Sequence, residues 1–298
     1  MIAHLEKYRP LRIGFIGAGQ LAVPVAWSLA RAGFQVVGAA SRSWASAEKL
    51  SSGVTNARAF DDAQGLADAS DLVVIAVPDD AIAPVAQSVR WRQNHYVVHC
   101  SAATEVSALS AAAAQGASTG GFHPLQTFTN AEAAMQTLSG CPAAIEAEDQ
   151  SLLDLLWSMA TALGCHPFRL PAGARPLYHA SGSFAGSFLV RIMNDALDLW
   201  AAFGVDRETA FRALMPLTKG TVAALEANGP VKALAGPIAR GDVGTVERHI
   251  AAMRARAPEL VPTYLDLARR SVAISAAKGG ASQEKLDALK MLLARDKP

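Results

Sequence analysis

The sequence has little charge, few aromatic residues and almost no cysteine. Charged residues make up 18% of the 298 positions and aromatic residues 6%, and the formal net charge is +1. Together with 51% hydrophobic residues, this composition excludes a disordered chain. Because no basic block occurs, nothing favours nucleic acid or an anionic membrane as a partner. Cys100, Cys141 and Cys165 are odd in number and form no CxxC pair, so we expect neither a disulfide framework nor a metal site.

Long apolar runs are also missing. No run approaches the roughly 20 residues that span a bilayer. The segment before Arg12 contains an acid and no signal-like apolar stretch. We therefore expect a cytoplasmic protein that does not bind a membrane. The chain length predicts one large or two ordinary domains with a packed core.

The segment "RIGFIGAGQLAVPVAWSLARAGFQVVGAASRS" predicts a dinucleotide site. An apolar strand precedes a GxGxxA turn, a helix follows, and a second apolar strand comes after Gly33. The first glycine permits a tight turn, the second lets the backbone approach a diphosphate, and Ala22 is small enough for helix–strand packing. The alternative is a glycine turn that serves packing alone. The predicted contacts are Gly17, Ala18, Gly19, Gln20 and Leu21.

The end of the second strand favours NADP as the cofactor. Sites for NAD usually carry Asp or Glu there to bind the ribose hydroxyls, but this chain has Ala40 followed by Ser41, Arg42 and Ser43. No carboxylate would repel a 2′-phosphate, Arg42 can pair with it, and the two serines can add hydrogen bonds.

Several residues at the ends of predicted strands are expected to lie near the nicotinamide. The apolar run "DLVVIAVP" predicts a central parallel strand that ends at Val77 and Pro78, and Asp79 or Asp80 should cap the helix that follows. The segment "HYVVHCSAA" ends near Ser101, and "GFHPLQTF" places His123 before a strand-terminating proline. Ligands of doubly wound sheets bind beyond the carboxyl ends of the strands, so we predict that Val77, Pro78 and Ser101 contact the cofactor.

The second half of the sequence predicts helices, and Asp206 and Asp242 are placed to cap the starts of two of them. We place the boundary near residue 170, with a Rossmann NADP-binding domain over 1–170 and a helical substrate and dimerisation domain over 171–298. Residues 174–205 read as one long helix, on which a polar stripe of His179, Ser183, Ser187 and Asn194 shares one side. The stripe either faces the substrate cleft or marks close packing, since two glycines in the same helix also suit a close contact.

The motifs together resemble a known family. "GFIGAGQLA", "VPDDAI", "VVHCSAA", "GFHPLQTF", "LYHASGSFAGSFL" and "GPIARGD" are similar to Rossmann-like proteins with a helical C-terminal domain of unknown function, itself like the C-terminal domain of 6-phosphogluconate dehydrogenases. Their N-terminal domain is akin to that of F420-dependent NADP oxidoreductases and pyrroline-5-carboxylate reductases. The resemblance implies a doubly wound α/β domain, an all-α domain, NADP and a homodimer. Ser187 and Ala235 depart from the Asn and Thr that are common in the family.

These observations predict an NADP-dependent oxidoreductase that moves hydride between NADP(H) and a small carbonyl or imine substrate bound between the domains. The candidate proton donors are His123, His179, Tyr178 and Ser101. The candidate substrate contacts are Ser183, Ser187 and Arg240, although Arg240 could also clamp its own loop. The alternatives are a non-catalytic NADP-binding sensor and, less favoured, hydride exchange between NADP and F420.

Overall fold

The structure, a computed structural model, describes residues 7–128 and 131–294. The chain divides into two compact units, Met1–Phe184 and Ala185–Pro298. The first unit therefore continues past residue 170, the predicted boundary, because the helix that starts at Arg175 belongs to it. Within the described residues, no helix is long and apolar enough to cross a membrane.

The first unit is built on an eight-stranded sheet with the order β3-β2-β1-β4-β5-β6-β7-β8. All neighbouring pairs are parallel except β6 and β7. The predicted Rossmann fold is confirmed, and the last two strands run opposite to the rest. The strands are β1 Arg12–Ile16, β2 Gln35–Ala40, β3 Arg58–Phe60, β4 Leu72–Ile75, β5 Tyr96–His99, β6 Ser118–Pro124, β7 Pro142–Ala147 and β8 His166–Arg169.

Helices cover both faces of this sheet. Alternate residues of β4 join different apolar clusters: Leu72 and Val74 pack on one face, and Val73 and Ile75 on the other. A strand buried on both faces has to be apolar throughout, which explains the continuous apolar runs of the sequence. The helices are α1 Ala22–Arg31, α2 Trp44–Ser52, α3 Ala63–Asp68, α4 Asp79–Ser88, α5 Ser110–Ala113, α6 Ala131–Leu138, α7 Gln150–Ala162 and α8 Arg175–Ala185.

The second unit consists of helices. Its core joins Val246, Ile250, Leu265, Leu289 and Leu293 with other apolar residues from the last three helices. The bounds are α9 Ser187–Ala201, α10 Arg207–Ala233, α11 Pro237–Arg240, α12 Val243–Arg256, α13 Val261–Lys278 and α14 Gln283–Ala294. The side chains of Asp206 and Asp242 accept hydrogen bonds at the starts of α10 and α12, so both predicted caps are confirmed.

The single long helix predicted over residues 174–205 is wrong. The chain forms α8 and α9, which are separated at Gly186, where φ is −116° and ψ is −86°. These angles lie outside the helical region, so the helical spacing does not continue across this residue. The predicted polar stripe is therefore interrupted: His179 and Ser183 lie on α8, and Ser187 begins α9.

Local geometry confirms one predicted terminus and corrects another. Gly33 follows the last residues of α1 with φ +90°, the left-handed geometry that favours glycine. Asp79 and Asp80, one of which was predicted to cap α4, instead lie in its first turn, and Pro78 is the residue before the helix. Their carboxylates still stabilise this end of the helix through its dipole.

Asp71, the residue before β4, binds Arg12 at the start of β1. Arg12 donates to its carboxylate from Nε at 3.0 Å, from Nη2 at 2.7 Å and from its backbone N–H at 3.0 Å. The Arg12 side chain, first through its hydrogen bonds, holds the pKa of Asp71 below its ordinary value. A lowered pKa stabilises the fold above the unfolded-state pKa, and this stabilisation is lost as the pH falls through the folded-state pKa.

Replacing Asp71 by Asn should lower the free energy of unfolding by about 1 kcal/mol at neutral pH, a value reduced for the partial exposure of the pair. Urea denaturation at several pH values measures this loss, which should shrink as Asp71 of the parent protein becomes protonated. The control is Asp266→Asn, because Asp266 pairs with Arg270 on an exposed helix surface and should contribute almost nothing. Equal losses in the two variants would contradict the role of Asp71.

Candidate functional site

A groove of about 460 Å³ opens at the carboxyl ends of β1, β2 and β4. This edge is where the chain leaves the strands for the GxGxxA turn and for the segments after Ala40 and Ile75. Its lining residues are Ile16, Gly17, Ala18, Gly19, Ala40, Ser41, Arg42, Ser46, Asp61, Asp62, Ala63, Ala76, Val77, Pro78, Ala81 and Val85.

The glycine turn is crowded at Gly17 and open at Gly19. Gly17 has φ +95°, and a Cβ there would lie 2.3 Å from the carbonyl oxygen of Ala76, so a larger residue does not fit. Its N–H donates to the carbonyl of Ala40 at 2.8 Å, which ties the turn to β2. At Gly19 a Cβ would meet no atom within 4 Å, so the backbone faces open space. The turn is thus closed on the protein side and open towards a ligand.

The residues after β2 give the groove a guanidinium and a hydroxyl. Arg42 and Ser41 line the groove, and their predicted contact with a cofactor stays a prediction. Ser43 instead caps α2, where its hydroxyl accepts from the N–H of Ser46 at 3.3 Å. Asp61 also lines the groove and was missed, because the sequence predicted no strand between residues 41 and 71.

The remaining predicted cofactor contacts divide into two groups. Val77 and Pro78, which follow β4, line the groove. Gln20, Leu21 and Ser101 are absent from the lining. Nothing else in the structure tests whether these three residues contact a cofactor, so their assignment stays a prediction.

His123 and Tyr178 form the most chemically distinctive pair. The Nδ1 atom of His123 lies 2.8 Å from the hydroxyl of Tyr178, and the two rings meet edge to face. His123 stands two residues beyond the position on β6 that pairs with His99 at the end of β5. Because β6 is parallel to its neighbour, the pair lies at the same edge of the sheet as the groove.

At neutral pH the ring nitrogens of His123 and the phenol oxygen of Tyr178 together carry two protons. Burial, followed by the charge of Arg175, lowers the pKa of His123 to about 4, and burial raises the pKa of Tyr178 to about 12. The imidazole is therefore neutral and the phenol is protonated. One proton bridges Nδ1 and the hydroxyl, and the second is carried on the outer side of the pair, on Nε2 or on the phenol oxygen. Either arrangement leaves one proton that can be donated.

Ser101 stabilises the turn that follows β5. Its hydroxyl accepts hydrogen bonds from the N–H groups of Ala103 at 3.1 Å and Thr104 at 2.9 Å, and its own N–H donates to Nδ1 of His99. Its side chain is buried. These contacts give Ser101 a structural role, and its predicted part in proton donation is untested.

Arg175 was missed among the site residues. It is fully buried, it donates from Nε to Glu146 at 2.8 Å and from Nη1 to the carbonyl of Ser101 at 2.6 Å. Two features of the sequence hinted at it: an Arg-Pro pair that opens a helix, and Glu146 within the apolar strand "PAAIEA". A carboxylate on a buried strand needs a cation nearby.

The other predicted site residues are more exposed or are placed elsewhere. His179 is exposed on α8, next to Tyr178, and Ser183 lies one turn further along α8. Ser187 and Arg240 belong to the second unit, and both are exposed. Asp242 has a lowered pKa, chiefly through its hydrogen bonds with Thr245, with smaller contributions from the charges of Arg248 and Arg240. The two roles considered for Arg240, clamping its own loop and binding substrate, both stay predictions.

Metal-ligating side chains do not cluster in the described part of the chain. Across residues 7–128 and 131–294, no three His, Cys, Asp or Glu side chains are arranged to hold a metal ion. The three cysteines are buried thiols, and the sulfur atoms of Cys141 and Cys165 lie 3.5 Å apart.

Two families match the sequence. The family described as a Rossmann-like domain matches residues 3–124, and the domain of unknown function DUF2520 matches residues 141–271. No curated protein is significantly similar to the chain.

Several solved structures share the fold. A Bacteroides fragilis protein assigned to the NADP oxidoreductases is 24% identical, with a TM-score of 0.70 over 88% of this chain and 98% of that one. A Thermotoga maritima protein is 20% identical, with a TM-score of 0.72 over 89% and 99%. The pyrroline carboxylate reductase of Plasmodium falciparum, solved with NADP bound, is 12% identical, with a TM-score of 0.58 over 96% and 97%. At these identities, the likenesses establish the fold.

Proposed function

Because the chain combines a Rossmann-like domain with a DUF2520 domain, we propose that it is an NADP-dependent oxidoreductase for a small carbonyl or imine substrate. The observation that carries this proposal is the His123–Tyr178 pair, which lies at the same edge of the sheet as the glycine-rich groove. A bound dinucleotide and a proton source at one sheet edge are the two requirements of a reductase.

The groove residues fit NADP. The backbone at Gly17 and Gly19 can bind the diphosphate, as the open space at Gly19 indicates. Arg42 and Ser41 can bind the 2′-phosphate, because the guanidinium is a permanent charge and the hydroxyl a donor. Val77 and Pro78 would border the nicotinamide. When bound, NADPH supplies a hydride to the substrate carbon.

The pair supplies the proton that this transfer requires. As a carbonyl carbon receives hydride, its oxygen becomes an alkoxide, a stronger base than the phenolate of Tyr178 even with the pKa of that phenol raised to about 12. The outward proton of the pair can therefore move to the substrate oxygen. If the bridging proton sits on Nδ1, Tyr178 donates its own proton directly and becomes the phenolate. If Tyr178 donates to Nδ1, the proton on Nε2 of His123 moves to the substrate while the bridging proton passes from Tyr178 to Nδ1, so the phenolate again carries the charge.

Consumption of NADPH with a panel of cyclic imines, 2-keto acids, ketones and aldehydes tests the proposal. We expect turnover with at least one of these classes, and slower turnover with NADH at equal concentrations. Tight binding of NADPH without turnover across the panel would contradict the enzyme and support a non-catalytic NADP-binding protein.

We also propose that the protein is a homodimer formed through α9 and α10. No residue of α9 is buried, and apolar side chains on both helices are exposed. The clearest examples are Val190 at 72%, Leu217 at 69% and Val222 at 49%. A monomeric protein rarely leaves such a large apolar surface exposed. With about 1.5 Å of rise per residue, the 15-residue α9 is about 22 Å long, which is enough for an interface of standard size.

Light scattering coupled to gel filtration should give the mass of two chains. The double variant Val190→Asp and Leu217→Asp should shift the mass to one chain, since buried carboxylates at an apolar interface are strongly unfavourable. The control is Met291→Asp, because Met291 is 64% exposed on α14, outside the proposed interface. A parent protein with the mass of one chain at micromolar concentration would contradict the dimer.

A further inference from the structure

Arg175 is a buried cation that reaches three strands from the start of α8. Its exposed fraction is 0%. Nη1 donates to the carbonyl of Ser101 after β5, and Nε donates to Glu146 on β7. Between them lies Gly121 on β6, which pairs with Glu146 across the antiparallel ladder. One guanidinium thus contacts the segment after β5, the middle of β6 and the last residues of β7.

Gly121 provides the space for this guanidinium. A Cβ at this position would lie 1.7 Å from Nη2 and 2.7 Å from Cζ of Arg175. Both distances are far below contact, so any larger residue would displace the side chain. Gly121 in the GGFHP segment therefore leaves the space that the side chain of Arg175 occupies, two residues before His123 in the sequence.

Burying the guanidinium of Arg175 costs folding free energy. The ion pair with Glu146 is almost fully buried, and desolvating two charges offsets much of their attraction. Within the described residues, Nη2 of Arg175 has no hydrogen-bond partner. A buried N–H without a partner costs further free energy. An apolar side chain would fill the same space without either cost, so the charge itself calls for an explanation.

Arg175 also determines where Tyr178 lies. The two residues are three apart on α8, so they occupy neighbouring positions on one helix face. Fixing the guanidinium against Glu146 and Ser101 fixes the first turn of α8 relative to β6. The hydroxyl of Tyr178 then meets Nδ1 of His123 at 2.8 Å.

The charges around His123 come from several elements. Arg175 and Tyr178 approach it from α8, and the nearby His179 also lowers its pKa. Asp79 lies at the start of α4, and His99 lies at the end of β5. Arg175 lowers the pKa of both His123 and His99, second only to burial in each case, and Asp79 acts in the opposite direction.

We propose that Arg175 is a positioning residue that fixes Tyr178 against His123 and holds a positive charge beside the imidazole, so that the pair can serve as the proton donor. The catalytic meaning of this role rests on the proposed oxidoreductase function. The coupling between Arg175 and His123 can be measured in the free protein, without cofactor or substrate. Failure of the coupling and failure of the enzyme assignment are therefore distinguishable.

The experiment is an NMR titration of the His123 ring nitrogens in the full-length protein. In the parent protein, His123 should titrate near pH 4, in line with its lowered pKa. In Arg175→Met, which keeps the side-chain length and removes the charge, the midpoint should rise by about one pH unit. Arg175→Lys keeps a cation and should restore most of the low midpoint.

The matched control is Arg169→Met on the neighbouring β8, because Arg169 is exposed and should leave His123 unchanged. Gly121→Ala keeps every charge but forces the guanidinium from its place, so it should change the ring nitrogen shifts and remains informative if Arg175→Met does not fold. A parent His123 that titrates near 6.5, or an unchanged midpoint in folded Arg175→Met, would overturn the proposal.

Discussion

Replacing Arg42 by Ala should weaken NADPH binding by at least about tenfold and leave NADH binding nearly unchanged. The physical reason is the loss of a charge-assisted hydrogen bond to the 2′-phosphate, which contributes roughly 1.5–3 kcal/mol. NADH has a hydroxyl in place of this phosphate and gains little from a guanidinium. Isothermal titration calorimetry with both cofactors measures the two affinities directly.

The matched control for Arg42 is Arg90→Ala. Arg90 is exposed on the same unit and does not line the groove, so its removal tests the general effect of losing one positive charge. NADPH affinity should stay at the parent level in this variant. If Arg42→Ala loses affinity for NADPH and for NADH equally, Arg42 does not bind the 2′-phosphate.

Replacing Tyr178 by Phe, or His123 by Asn, should lower kcat about 100-fold with little change in NADPH affinity. General acid groups typically contribute factors of about 100 to 10,000, and each substitution breaks the 2.8 Å hydrogen bond that joins the pair. Because the two groups act as a unit, the double variant should be hardly slower than either single one. Steady-state kinetics at saturating NADPH, with the best substrate of the panel, tests both statements.

The pH profile adds a second test of the same pair. With the pKa of His123 at about 4 and that of Tyr178 at about 12, neither group changes charge near neutrality. Because neither group gains or loses a proton near neutrality, kcat should stay constant as the pH passes through 6.5. A rate that falls around the ordinary histidine pKa of 6.5 would show that His123 is not held neutral.

His179→Asn separates the two histidines that the sequence left as equal candidates. His179 is exposed, whereas His123 bonds to Tyr178, so the His179 variant should keep nearly full kcat. If His179→Asn lowers kcat as much as His123→Asn does, the proton donor is not the His123–Tyr178 pair.

The fold was predictable because its signals are local. The glycine turn after β1 depends on backbone sterics at a few residues, and the apolar runs of the parallel strands follow from burial on both faces. The caps at Asp206 and Asp242 depend on side chains that reach only three residues along the chain. The absence of an acid after β2 is likewise a local feature of the sequence, and the choice of NADP that it favours stays a prediction.

The site required the tertiary structure because its contacts are long-range. Tyr178 lies 55 residues from His123, and Arg175 lies 74 residues from Ser101. Which of two adjacent residues, Tyr178 or His179, faces the sheet depends on the rotation of α8, and no spacing rule fixes that rotation. The break between α8 and α9 at Gly186 interrupts the helical face on which the polar stripe was predicted.

By itself, then, the sequence determined a Rossmann domain and a helical second half, since each follows from interactions between near neighbours. Only the tertiary structure decided which polar side chains meet at the edge of the sheet. A buried arginine such as Arg175 is stable only where a carboxylate, a carbonyl and the space beside a glycine converge. That convergence comes from three strands and a helix, and it exists only in the folded chain.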